Sequence, residues 1–186
     1  MAIPSQPEIT AALYGALRLA RLDRSGLNFF DRSYDGFWKS FFAAAIAAPA
    51  HFGLLYFTGA TDMGFGRLLA EAMVYAVSWL AFPLVMIYVA EMLSRSDRYY
   101  DYMVPYNWAG VWQIAVFLFV TVLSVAGLLP AGVASFVTIA AFLAILAYQW
   151  YIARVGLEIS GGAAAAVVFA DLVVGLLVRG IGGIGG

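Results

Sequence analysis

The chain has 186 residues and a formal net charge of −1, with 64% hydrophobic and 11% charged residues. Soluble domains carry about 45–50% apolar and about 25% charged residues, so a soluble fold of this size could not cover itself, and the surplus apolar surface must face lipid. The weak charge without a clustered basic face gives no reason to expect nucleic-acid binding, the lack of cysteine excludes disulfides and thiolate sites, and the single histidine excludes a multi-histidine metal site.

Residues 1–6 read as a loose tail. Pro4, Pro7 and Glu8 stand where a secretory signal would need a basic stretch and an apolar core, so span one is expected to serve as an uncleaved insertion signal. Ser5 or Gln6 followed by Pro7 and Glu8 suits a helix start. Ile9, Ala12, Leu13, Ala16, Leu17 and Ala20 then recur at helical spacing, with Arg18, Arg21 and Arg24 at and after the end. The pattern predicts a short amphipathic helix over 7–23, lying on the membrane interface or packed on the ends of the bundle. Residues 24–36 form a polar connector with Phe29 and Phe30 at headgroup depth, and Asp31 and Asp35 are expected to cap the start of span one.

Span one is expected over about 37–58, a loop over 59–66, and span two over about 67–93, with Pro83 as a candidate kink. The Tyr-rich segment 94–107 reads as an interfacial loop. Residues 108–153 contain no Asp, Glu, Lys or Arg. As one helix this run would be roughly 70 Å long, against an apolar bilayer core of about 30 Å, so it must be two spans. The break belongs at Gly127–Gly132, where Gly and Pro cluster. Span three is then about 108–129, span four about 131–153, and span five about 163–178 before a Gly-rich tail. The fold class is all-α: a polytopic membrane protein with five transmembrane helices in 37–186, preceded by a 1–36 N-terminal segment. If the N-terminus is cytoplasmic, Arg18, Arg21, Arg24, Arg32, Lys39, Arg95, Arg98 and Arg154 lie inside, and Arg67 and Arg179 lie outside. Five spans then put the C-terminus in the periplasm.

Ionisable groups within spans are the first functional candidates. His51, Glu71, Asp171 and Arg179 all fall in the outer half of the bundle on this topology, and could form a proton or cation relay. The structural readings compete with that. Arg67 and Glu71 are four apart and can pair. His51 can bond a carbonyl freed by Pro49. Asp171 can act as an interhelical hydrogen-bonding group. Small residues make close-approach faces at Ala43, Ala44, Ala47 and Ala48 in span one, and at Gly162, Ala163, Ala166 and Ala170 in span five, for internal packing or a homo-oligomer contact. Gln149 and Trp150 stand at the cytoplasmic end of span four, followed by Tyr151 and Arg154, and the Trp and Tyr read as interfacial anchors. There is no phosphate-binding glycine loop, no paired-Asp magnesium motif and no nucleophile–base set, so no cofactor, metal or catalysis is expected.

Five spans after a short N-terminal segment, with a tight span three/span four hairpin, resemble the Yip1 domain family over about 37–178. The stretch 149–178 is the most similar part. It has Trp150 and Tyr151, then Gly156-Leu157, a polar turn to Ser160, and a final span with Ala163 and Ala166. This looks like the end of bacterial Yip1-like proteins. The segment FFDRSYDGFWKSFF at 29–42 looks like segments of bacterial inner-membrane proteins that position span one. The resemblance implies a bacterial inner-membrane location and no catalytic residues. The expected function is non-enzymatic, through helix–helix association as a scaffold, a membrane-organising protein or an accessory subunit. Its partners are the lipid bilayer and a second copy or a larger membrane complex. The alternative is a small transporter or proton-coupled permease component using Asp171 with His51 or Glu71.

Overall fold

A computed structural model describes residues 3–58 and 64–183. Those residues form seven α-helices and no strands: α1 (Gln6–Ala20), α2 (Tyr34–Ser40), α3 (Phe42–Phe57), α4 (Phe65–Met92), α5 (Tyr99–Val125), α6 (Ala131–Gly156) and α7 (Gly161–Gly183). Five helical segments are long and apolar enough to cross a membrane, α2 and α3 counting as one over Tyr34–Phe57. The chain is a multi-pass integral membrane protein. The expected loop at 59–66 lies, for residues 59–63, outside the described residues.

The N-terminal helix starts as its sequence suggests. The Glu8 N–H donates to Ser5 Oγ (3.5 Å), and the Ser5 N–H donates to the Glu8 carboxylate (2.7 Å), a reciprocal capping box. Ala12, Gly15, Ala16 and Leu19 make the buried face, and α1 packs on α5 and α6. Protein therefore covers that apolar face. A 3-10 turn over Arg24–Phe29 folds back across α1 at two glycines. A Cβ on Gly26 would stand 2.6 Å from the Gly15 carbonyl oxygen, a backbone atom with little room to yield. Gly26→Ala is expected to lower stability by about 1–3 kcal/mol. An unfolding midpoint equal to that of the parent protein would refute the close crossing.

Lys39 clasps α1 to α2, with ammonium contacts to Glu8 (2.9 Å) and Asp35 (2.8 Å). Hydrogen bonds from Ser5 and then Lys39 hold the Glu8 carboxyl down at about 2, from an ordinary 4.5. A carboxyl with a lowered folded value contributes fully above its unfolded pKa and stops contributing as pH falls through the folded one. The clasp should therefore be intact above pH 4.5 and loosen toward pH 2. Amide exchange at residues 6–10, corrected for intrinsic rates, should accelerate across that window. Unchanged protection would show that the carboxylate holds nothing. The start of α2 is capped by Ser33, whose Oγ accepts the Gly36 N–H (3.1 Å), while Asp31 accepts the Ser33 N–H (3.2 Å).

The expected interfacial loop over 94–107 is mostly helix, since α5 begins at Tyr99. The tyrosines there turn inward rather than toward headgroups. Tyr102 is buried, and Tyr99 Oη donates to the Pro83 carbonyl (2.9 Å). Their rings fill the core while their hydroxyls reach partners, a combination that suits Tyr inside a bundle. The break at 126–130 stands where Gly and Pro cluster, with Gly127 in the left-handed region at φ 69°.

Helix α5 is the hub: it packs against α3, α6, α1, α2 and α4, while α7 closes the bundle between α4 and α6. Helices α1, α4, α5 and α6 end alike. The N–H groups of Asp23, Arg95, Leu128 and Ile159 donate to carbonyls five residues back, at 3.0, 2.8, 3.1 and 3.3 Å. Leu22, Ser94 and Glu158 hold the left-handed position in three of these ends, at φ 60°, 54° and 52°. Each such conformation costs an L-residue about 1–2 kcal/mol. Glu158 also carries ion pairs. Its carboxylate pairs with Arg24 and with Arg98 (2.9 Å), Arg98 continues to Asp101 (3.1 Å), and Asp101 to Arg32 (3.0 Å). This chain of ions ties the N-terminal segment to the start of α5 and the end of α6. All the Lys and Arg residues other than Arg67 and Arg179 belong to this end of the bundle.

Packing density follows the same polarity. The buried residues are Phe82, Pro83, Met86 and Ala90 in α4, Tyr102–Pro105, Asn107–Ala109 and Val120 in α5, and positions from Ile145 onward in α6. They cluster in the arginine-rich half. In the other half, residues 131–144 of α6 include no buried position.

Candidate functional site

A polar seam crosses the apolar core where α5, α6 and α7 meet. Tyr106 on α5 donates its hydroxyl to Asp171 Oδ1 on α7 (2.7 Å). Gln149 on α6 lies near the same carboxylate without hydrogen-bonding to it. Its Nε2 donates to Gln113 Oε1 on α5 (3.3 Å). Gln113 Nε2 is buried and has no partner among the described residues. The Tyr106 ring is held by Phe82 (centroids 5.0 Å apart) and Tyr102 (5.7 Å). Three helices thus converge on one carboxylate, and an amide pair extends the seam along α5. Such a network suits strong interhelical pinning, because polar groups in hydrocarbon have few other partners.

The other three candidates lie apart from this seam. His51 on α3 stacks on Tyr75 of α4, with ring centroids 4.5 Å apart, and is within electrostatic reach of Arg179 and Glu71. Tyr75 Oη donates to the Ala44 carbonyl (2.6 Å) and so bridges α4 to α3. His51 makes no hydrogen bond among the described residues, and Arg67 and Glu71 form no ion pair there. His51, Glu71 and Arg179 form one loose group toward the arginine-poor end. Asp171 forms another with Tyr106 and Gln149. Among the described residues no three His, Asp or Glu side chains gather as metal ligands.

The small-residue faces divide. Ala43 and Ala47 are buried in α3, which packs on α5. Ala44 and Ala48 instead line an apolar cleft of about 330 Å³ opposite Trp38, Phe41, Tyr75 and Trp79. In α7, Ala164, Val167 and Val168 are the buried positions, while Ala163 and Ala170 are half-buried and Gly162 and Ala166 are exposed. The face named from the sequence therefore points mostly away from the protein interior.

The partners of Asp171 were not among the residues singled out as its group. Tyr106 falls in the segment expected to be an interfacial loop, and Gln149 stands at the end of span four beside the Trp and Tyr anchors. One signal could have found them. Gln113 and Gln149 are amides in a 108–153 run without a charge, at positions where α5 and α6 form a hairpin. No family model matches the chain, and neither do any curated protein or solved structure.

Proposed function

We propose that the protein is a non-enzymatic component of a bacterial inner membrane that works through helix–helix association, as an organising protein or an accessory subunit. Its arginine-rich end would face the cytoplasm and its C-terminal end the periplasm. The observation that carries this reading is the outer part of α6. Over residues 131–144 no position is buried, and the small residues Gly132, Ala134, Ala140, Ala141 and Ala144 are interspersed with the exposed Phe136, Ile139 and Leu143. Ser135 and Thr138, both exposed, return their hydroxyls to Ala131 and Ala134 carbonyls. Small and hydroxylated positions on an unpartnered transmembrane segment suit close approach of another helix. The Yip1-like resemblance fits the same role.

The chain has no cysteine, so single-cysteine variants report cleanly. A photoreactive crosslinker on Ser135→Cys or Ile139→Cys should capture a second polypeptide in native membranes. The same probe on Tyr88→Cys, at an exposed position on α4, should capture lipid. Lipid adducts alone at all three positions would end this reading.

The partnerless Gln113 Nε2 beside the Asp171 group favours a second reading, transport of a proton or small cation along the seam. Asp171→Asn keeps an acceptor for Tyr106 and removes the charge. A pH-driven flux in proteoliposomes that survives this change would dismiss it.

A further inference from the structure

The arginine-rich end carries a second polar feature, apart from the Asp171 seam. A cleft of about 440 Å³ opens between the Arg24 turn and the last turn of α6, lined by Arg24, Tyr151, Arg154, Val155, Glu158 and Ile159. Its two arginines come from opposite parts of the chain. The pairing of Arg24 with Glu158 fixes it against the end of α6. The Glu158 carboxylate is also held by Arg98 (2.9 Å), so the acid facing the cleft is already shared by two cations. Arg154 has no carboxylate partner among the described residues. Its guanidinium instead lies over the Trp150 ring, 5.3 Å from the centroid. Tyr151 cannot serve as a free donor, because its hydroxyl is bonded to the Leu22 carbonyl (2.7 Å).

The cleft thus has a cationic wall with an uncommitted planar fork, since a guanidinium presents several N–H donors in the geometry a phosphate accepts. Val155 and Ile159 make the other wall apolar. Trp150 and Tyr151 are the residue types that sit at headgroup depth. A free phosphate would gain nothing from the apolar side, whereas a phospholipid would lay its glycerol and first methylenes there. We infer that this cleft binds the phosphate of an anionic phospholipid from the leaflet around the arginine-rich end. Basic pockets at the ends of transmembrane helices bind lipid headgroups in this way.

The test uses the whole protein, delipidated in detergent and then placed in nanodiscs of phosphatidylcholine with or without phosphatidylglycerol. Native mass spectrometry should show phosphatidylglycerol retained, and the midpoint of thermal unfolding should rise in its presence. Arg154→Gln, at an exposed position without an ion pair, should fold and should weaken retention about tenfold, the loss of one charge-assisted contact. Arg24→Gln should weaken it as well. Arg67→Gln, at the other end of the bundle, should leave it unchanged. Retention untouched by Arg154→Gln, or equally reduced by Arg67→Gln, would overturn the assignment. So would inorganic phosphate in detergent producing the same rise in midpoint as the lipid, since that would make the site one for a soluble anion.

Discussion

Gly36→Ala is expected to lower stability by about 3 kcal/mol, at the upper end for a single added methyl group. A Cβ at this position would lie 1.9 Å from the Asp31 carbonyl oxygen and 2.7 Å from its carbon. Both are backbone atoms, so no side-chain rotation relieves the clash. The turn cannot open easily either, because the Gly36 N–H is bonded to Ser33 Oγ and Asp31 is bonded to the Ser33 N–H. The start of α2 must move instead. It would carry with it the buried Phe37 and Ser40, and Ser40 accepts the buried Asn107 amide of α5 (2.8 Å). Unfolding titrations in mixed detergent should show the drop. A variant as stable as the parent would mean that the turn is looser than its geometry implies.

Tyr106→Phe is expected to cost about 2 kcal/mol, near the upper limit measured for interhelical hydrogen bonds in membranes. Two magnitudes bear on this value. Hydrogen bonds to charged groups in proteins contribute about 1.5–3 kcal/mol, whereas the membrane average is about 0.6 kcal/mol. The acceptor here is a carboxylate within the bundle, which favours the higher figure. Asp171→Leu should cost a similar amount, because it strands the Tyr106 hydroxyl. The double variant should recover about 1 kcal/mol relative to the sum of the two. Strict additivity would show that the 2.7 Å contact carries no coupling energy.

The sequence made the spans legible because length and apolarity decide them. The break near Gly127 and Pro130 was legible because those residues cannot continue a helix cheaply, and Pro7 with Glu8 after Ser5 or Gln6 marked the start of α1. What could not be read was rotation. In α7, Ala163, Ala166 and Ala170 share one stripe, while Ala164 and Val167 share the next, about 100° away. Composition does not say which one meets α6. The Tyr-rich stretch misled for a related reason. A phenol is equally suited to a headgroup layer and to a core with a nearby acceptor, and the acceptors come from residues far along the chain. Tyr106 and Asp171 are 65 positions apart, and no local spacing brings them together. The neighbours of Asp171 depended on how three helices are turned.

The uneven distribution of buried side chains has a mechanical consequence. A bundle locked by ions and close packing in one leaflet, but loosely joined in the other, has unequal compliance along its length. Changes in acyl-chain length or lateral tension should tilt the loose segments of α4 and α6 while the locked half keeps its shape. Spin labels at Met73 and Phe136, both exposed, should change separation between thin and thick bilayers, whereas labels at Met92 and Arg154 should not. Equal shifts in both pairs would mean that the bundle responds as a rigid body.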